Sequence, residues 1–539
     1  PFGMDFLEPS PFWPEFIKRW NKSGANPPAE FSLPSKFFDE MRAFIAELPT
    51  VSGELNPMFT GCYDSRERVK KLCRESQHAA AEAERLASVA ASSGWMNWPA
   101  ATLDSAWKNI LKNDFHDVLC GTGTDPVYLN TLARYGDALE DIASVSGDAV
   151  AAIASRANTS SQPGEPVLIV NSLAFARREL VTVPVPENAA AFEWEAAAPG
   201  GEKTPCQLTD GGLIFIADLP PMGYAVYHIT KKKAAAKKKA ATPDAAAGPF
   251  KIDGLVFEND IMRAALDPRT GALFSLIDKR TGRETLDTSQ SFSNELLAEE
   301  DIGNLWSVYK TGREWRAARY PVRIRFIETG PVRATAEITG AHKGMNRRQL
   351  VSLTAGSPRV DFHTHIDFSG RDLRVRALFG LKSSGGCVCE TPFHATARGD
   401  GHHCAENWVD IPAAEGAGAA LLNRGIPGCE ASGNCASLAL MRSISVLPPA
   451  LPGYLLKNLP ALLDTLAKTA RLALGSHGMG MAEWSTHPFH LLTLREWASG
   501  GGDPDASGGN PLAADHLLPY VNFGKESLAW ERGTHDFHY

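Results

Sequence analysis

Apolar residues along this chain change their period once, near Pro163, and that change constrains the fold more than any other feature. Before it they recur at three- and four-residue spacing. Val69, Leu72, Cys73, Ala80, Ala83 and Leu86 form one stripe from Ser65 onward. Leu103, Trp107, Ile110 and Leu111 form a second from about Ala100. A third helix is predicted from the T-D-P step, where Thr124 or Asp125 can cap and Pro126 sits where a missing N–H costs nothing, to about Ser155. Three amphipathic helices with short links predict a bundle. After Pro163 the period is two: GEPVLIVNSLAFARRELVTVPVP and LPPMGYAVYHI (residues 219–229) alternate and are bounded by turn residues.

A chain of 539 residues exceeds what one core serves, so a multidomain α+β protein is expected. Residues 1–51, rich in Pro and aromatics with a helical stretch over Pro34–Leu48, cannot form a domain alone and read as the tail of a larger α/β unit. A three-helix bundle is predicted over 52–157, a small β domain over 163–230 and a low-complexity Lys/Ala linker over 231–250. A large all-β sandwich is predicted over 251–495, then a Gly-rich linker and tail over 496–539.

The net charge of −8 gives no basic face for nucleic acid. No apolar run reaches the roughly 18–20 residues that span a bilayer, so no membrane partner is expected. Nine cysteines, an odd number thinly spread, fit reduced thiols and a cytoplasmic location better than a disulfide framework. Cys387 and Cys389 form only C-x-C, without the second pair that a zinc ribbon needs. The sequons at 21–23 and 158–160 matter only in a secreted protein. Exposed sheet edges are compatible with a homo-oligomer.

Three stretches could carry chemistry. In NDFHDVLCGTGTD (113–125), His116 can offer a ring nitrogen to a metal, and Asp117 can accept hydrogen bonds from sugar hydroxyls. In GELNPMFTGCYDSR (53–66), Phe59 and Tyr63 flank a glycine turn and can stack on a pyranose, with Arg66 just beyond. In PFGMDF (1–6), Asp5 lies between Met4 and Phe6, a setting that raises a carboxyl toward general-acid use. Other clusters read as structural. His363 and His365, with Asp361 and Asp367, fall on one face of a strand whose other face is apolar. His402, His403 and Cys404 lie in a glycine-flanked loop without a spaced partner, and His477 and His487 are assigned no role.

Taken together and in order, these stretches resemble glycoside hydrolase family 38, the zinc-dependent retaining α-mannosidases. The family's G-x-D-F turn at the end of the catalytic α/β barrel is similar to GMDF (3–6), its GEL…G-x-Y-x-S-R stretch to residues 53–66, and its bundle signature to residues 113–125. VLIVNSLAFARRELVTV (167–183), FENDIMRAALDPRTGALFSLIDKRTGRE (257–284), EEDIGNLW (299–306), ALLNRGIPG (420–428) and LALMRSIS (438–445) follow in the family's order.

By resemblance, residues 1–51 are the C-terminal remnant of the catalytic barrel, His116 is the zinc ligand from the bundle and Asp117 binds mannose hydroxyls. Asp5 is the general acid/base, and Phe59 stands where the family often has a Trp beneath the sugar. Some members carry a second Asp where Met4 stands. The family's His-x-Asp zinc ligands and its nucleophilic Asp have no counterpart and are expected before Pro1. The chain alone is therefore expected to bind no zinc tightly and to leave an aryl α-mannoside uncut. The expected partner is a mannose-containing oligosaccharide or glycoside; the alternatives are a non-catalytic carbohydrate-binding protein and, more remotely, an unrelated zinc hydrolase using His363 and His365.

Overall fold

A computed structural model describes residues 12–24, 26–51, 59–233, 248–413, 418–444 and 531–539. It divides into two units, Pro1–Asn56 and Pro57–Tyr539. Asp5, His477 and His487 lie outside the described residues, as do residues 445–530.

In the first unit, helices α1 (Phe12–Lys22) and α2 (Pro34–Met41) are short, and a 3-10 turn over Arg42–Glu47 follows α2. The helix predicted over 34–48 thus tightens at Arg42. Neither α2 nor the turn buries a residue, and Phe37, Phe38, Phe44 and Ile45 face outward.

The second unit opens with three long helices, α3 (Glu67–Ser92), α4 (Ala100–Asn113) and, after the single-turn α5 (His116–Leu119), α6 (Asp125–Ala154). Ala80, Ala83, Ala87 and Ala90 of α3 meet Leu103, Ala106 and Ile110 of α4 and Ala138, Ile142 and Val145 of α6 in one core. Runs of alanine let the helix backbones approach closely, so few methylenes fill the seam. Ile110→Val is expected to cost about 1 kcal/mol in a urea titration, because a fully buried methyl has no room to be replaced. Leu111, predicted on the buried stripe, is exposed. It lies about 100° around the helix from Ile110, and the buried face runs through Leu103, Ala106, Ile110 and Asn113. The Thr124 side chain, a predicted cap, makes no cap hydrogen bond, and Asp125 pairs with Arg66 at 2.6 Å.

Two small antiparallel sheets follow. One joins Glu165–Asn171, Gly223–Lys233, Phe192–Ala197 and Lys203–Thr204; the other joins Arg177–Val183, Gly212–Leu219 and Cys206–Thr209. They enclose Leu213, Phe215, Ala217, Tyr227 and Ile229. Lys231, Lys232 and Lys233, predicted to open the linker, belong to the first of these sheets instead, in register with Trp194, Glu193 and Phe192. Lys232 reaches Glu195 at 3.1 Å, and the Lys231 ammonium lies over the Phe192 ring, so these lysines have strand partners.

The large β region packs a six-stranded sheet against a five-stranded one around Leu296, Ala334, Val351, Ile366, Val375, Leu438 and Phe537. The tail predicted over 496–539 ends as a strand. Gly533–His538 forms an edge of the five-stranded sheet, pairing antiparallel with Val360–Phe368. Its own alternation explains this: His535 and Phe537 are buried while Thr534, Asp536 and His538 face out. Among the described residues no helix is long and apolar enough to cross a membrane.

Candidate functional site

Helix α4 ends at Asn113, and Phe115, with φ −55° and ψ 135°, turns the chain so that His116 opens α5. The imidazole is 76% exposed and its Nε2 lies 3.4 Å from Oδ2 of Asp117, itself 60% exposed. The Phe115 ring sits 4.4 Å from that of His116. Phe59 precedes a single 3-10 turn, Thr60–Tyr63, in a left-handed conformation (φ 60°, ψ 41°) and is 52% exposed. A bulky residue held at positive φ is strained, and such strain persists only where surroundings over-determine it.

Those surroundings are specific. Arg66, buried, donates from Nη1 to the Gly123 carbonyl at 2.7 Å and from Nη2 to Asp125, with its guanidinium 4.5 Å from the Tyr128 ring centroid. Lys70 donates to the Ser65 carbonyl and, at 2.8 Å, to that of Cys120. Burial draws the Lys70 ammonium down to about 8. The neighbouring Cys62 thiol lowers Cys120 from its ordinary range. The segment carrying Phe59 and the segment carrying His116 and Asp117 are therefore clamped together.

His116 was the expected zinc ligand. No group of three His, Cys, Asp or Glu donors forms around it among the described residues. A catalytic zinc typically takes three protein ligands, and the described residues do not bring three together at His116.

Behind the Phe59 turn lies a buried ionic junction that the sequence reading missed. Arg374, fully buried, donates to Asp64 at 2.5 Å, to Glu299 at 2.8 Å and to Glu430 at 3.1 Å, and contacts His402 Nε2 at 3.0 Å. Lys310 and Arg376 also reach Glu430. Arg442, equally buried, donates to Asp301 at 2.6 Å, to the Ser65 hydroxyl at 3.0 Å and to the carbonyls of Asn304 and Ser307. The Gly61 N–H bonds to the Trp306 carbonyl at 2.9 Å, so the turn is seated on the loop after strand Glu295–Asp301. A Cβ on Gly428 would lie 1.8 Å from Asp64 Oδ1, so only glycine leaves room for that carboxylate. An arginine inside an apolar strand, as in LRVRALFG and LALMRS, was the available signal.

Burial works against the charged form of Asp64, but Arg374, His402 and Arg442 together outweigh it and hold the carboxyl below its ordinary range. Glu430, likewise penalised by burial, is held low by Arg376 and Arg374. Groups depressed in the fold stabilise it above the unfolded carboxylate pKa of about 4 and lose that contribution as pH falls. The part of the stability that these carboxylates supply is therefore expected to hold from pH 7 to about 5 and to be lost below pH 4, read as a falling urea midpoint. An unchanged midpoint at pH 3 would contradict this.

Three other histidines have protein partners in the β region. His402, expected in a loop without a partner, lies in strand Gly401–Cys404 and contacts Asp64 at 3.2 Å; the strand is fixed by pairing with Gly428–Ser432. His363 and His365 project from the half-buried face of Val360–Phe368, while Thr364, Ile366 and Phe368 are buried. Both rings lie 2.9 Å from one oxygen of Asp536 on the last strand.

Comparison with known proteins follows the same division. The human protein "Alpha-mannosidase 2C1" is 27% identical over 458 residues, covering 79% of this chain and 40% of its own length. "Lysosomal alpha-mannosidase" of Dictyostelium discoideum is 28% identical over 139 residues, 23% of this chain and 14% of that protein. The chain thus spans about two fifths of the length of the first of these relatives. The solved structure of an α-mannosidase from Enterococcus faecalis V583 has a similar fold, with a TM-score of 0.61 at 18% identity over 76% of this chain and 56% of that one. The family description "Alpha mannosidase middle domain" matches residues 57–153, and "Glycosyl hydrolases family 38 C-terminal domain" matches residues 257–446. With helices α3 and α4 and all but the last residue of α6 inside the first match and most of the large β region inside the second, the chain belongs to glycosyl hydrolase family 38.

Proposed function

We propose that this chain is part of a zinc-dependent, retaining α-mannosidase that hydrolyses terminal α-mannosides of glycans or small glycosides. The observation that carries the reading is the exposed His116–Asp117 pair on a segment clamped to the one that presents Phe59. In this reading α3, α4 and α6 are the family's three-helix bundle, residues 1–51 are the end of its catalytic barrel, and the remaining zinc ligands come from outside the described residues. Zinc, when bound, polarises mannose hydroxyls. Asp117 accepts hydrogen bonds from those hydroxyls, and Phe59 offers a flat apolar face to the ring. Asp5, between Met4 and Phe6 in the sequence, would donate the proton that a leaving glycosidic oxygen needs. Retention places two carboxyls about 5–5.5 Å apart, with Asp5 first as acid and then as base. All nine cysteines are free thiols, which fits a reducing compartment, the cytoplasm.

The second reading, a carbohydrate-binding protein without catalysis, draws on the incomplete ligand set around His116. Supplying zinc and an aryl α-mannoside to the 539-residue chain, beside the native polypeptide that contains it, separates the two. The expected result is turnover by the native polypeptide and none by the chain alone. Mannose binding without turnover in both establishes the second reading instead.

A further inference from the structure

The family zinc position does not account for a second constellation, buried where helix α3 meets the last strand. Glu67 opens α3, and Glu531 and His535 flank the start of Gly533–His538. All three are buried, at 3%, 6% and 3% exposure, and their donor atoms lie within 4.8 Å of one another. His535 Nε2 contacts the Glu531 backbone carbonyl at 2.6 Å. A carbonyl can only accept, so Nε2 carries a proton, and Nδ1 faces Glu67 Oε1 at 2.9 Å. An imidazole fixed by a backbone carbonyl through one nitrogen, with the other turned toward carboxylates, is the arrangement of a metal-ligating histidine.

The decisive group is Glu531. Neither of its carboxyl oxygens has a hydrogen-bond partner, although both are buried. Burial, and then the neighbouring Glu67, push this carboxyl well above its ordinary range. A proton on His535 Nδ1 would satisfy the contact with Glu67, and in the metal-free chain Glu531 would share its own carboxyl proton with Glu67, a proton that a bound cation would displace. Lys70 and Arg66 lie near enough to act on Glu531 electrostatically, but their hydrogen bonds go to Ser65, Cys120, Gly123 and Asp125. One divalent cation would meet all three inward-facing acceptors together and offset two carboxylate charges.

We propose that Glu67, Glu531 and His535 form a structural site for a first-row divalent metal ion, with zinc favoured by the mixed carboxylate and imidazole donors, that ties α3 to the final strand. It is a different site from that of His116, and it departs from the expectation that the chain alone binds no zinc tightly. The chain is stripped with a chelator, loaded separately with Zn²⁺ and Mn²⁺, freed of excess ion and assayed for bound metal alongside its Tm. About one equivalent of zinc per chain is expected, with a higher Tm on loading. Glu531→Gln, which keeps the shape of the side chain, and His535→Ala should each lose that equivalent, whereas His116→Ala should keep it. No stoichiometric metal in the parent chain, or metal that folded Glu531→Gln retains, overturns the site. Metal lost on His116→Ala but kept in Glu531→Gln overturns it too, assigning the ion to the other position. Should His535→Ala fail to fold, Glu531→Gln decides alone.

Discussion

His116→Ala in the native polypeptide that contains this chain is expected to lower kcat/KM for an aryl α-mannoside by about 10³-fold or more, the scale seen when one member of a preorganised catalytic set is removed. Folding stability should stay within about 0.5 kcal/mol of the parent, because the ring is 76% exposed and its nearest charged neighbour is the equally solvated Asp117. That separation makes the experiment informative. A residue that merely shaped the start of α5 would trade activity and stability together, whereas a metal ligand loses activity alone. Activity within a few-fold of the parent, at unchanged Tm, would remove His116 from the chemistry. The proposed roles of Asp117 and Phe59 would then lose their anchor.

Arg374→Met is expected to destabilise the chain by about 3–5 kcal/mol, measured as a shift of the urea midpoint at constant m. The arginine is completely buried and faces three carboxylates, Asp64, Glu299 and Glu430. Methionine fills much of the volume but leaves those charges to be neutralised by His402, Arg376 and Lys310 alone. Removing one partner from a buried cluster leaves uncompensated charge in a low-dielectric setting, which costs far more than the net worth of the intact pairs. Lys108→Met offers the contrast: its pair with Asp104 is mostly exposed, and its loss should cost no more than about 0.5 kcal/mol. A loss below 1 kcal/mol for Arg374→Met would mean that water reaches the junction.

Much of the fold was legible because periodicity reports local amphipathicity directly. The helices over 67–154 and the alternation of Val360–Phe368 follow from which side chains must be hidden, and little else competes with that signal there. The candidate residues His116, Asp117 and Phe59 were singled out because they sit in short ordered motifs, and the structure leaves all three exposed. The ionic junction was not legible. Asp64, Glu299, Asp301, Arg374, His402, Glu430 and Arg442 come from separate segments, and charge complementarity across hundreds of residues leaves no local period. The last strand was passed over because six residues beyond a glycine-rich stretch are too short for alternation to stand out.

That last strand has a consequence for biosynthesis. His363 pairs with His538, so the open edge of Val360–Phe368 has no neighbour until the ribosome has delivered the chain well beyond it. An unpaired strand edge is a template for wrong pairing between nascent chains. The large β region must then be completed late in translation or after it, and a frameshift anywhere between residues 369 and 532 would expose the same edge permanently, leaving a product prone to aggregate however well its upstream helices had folded.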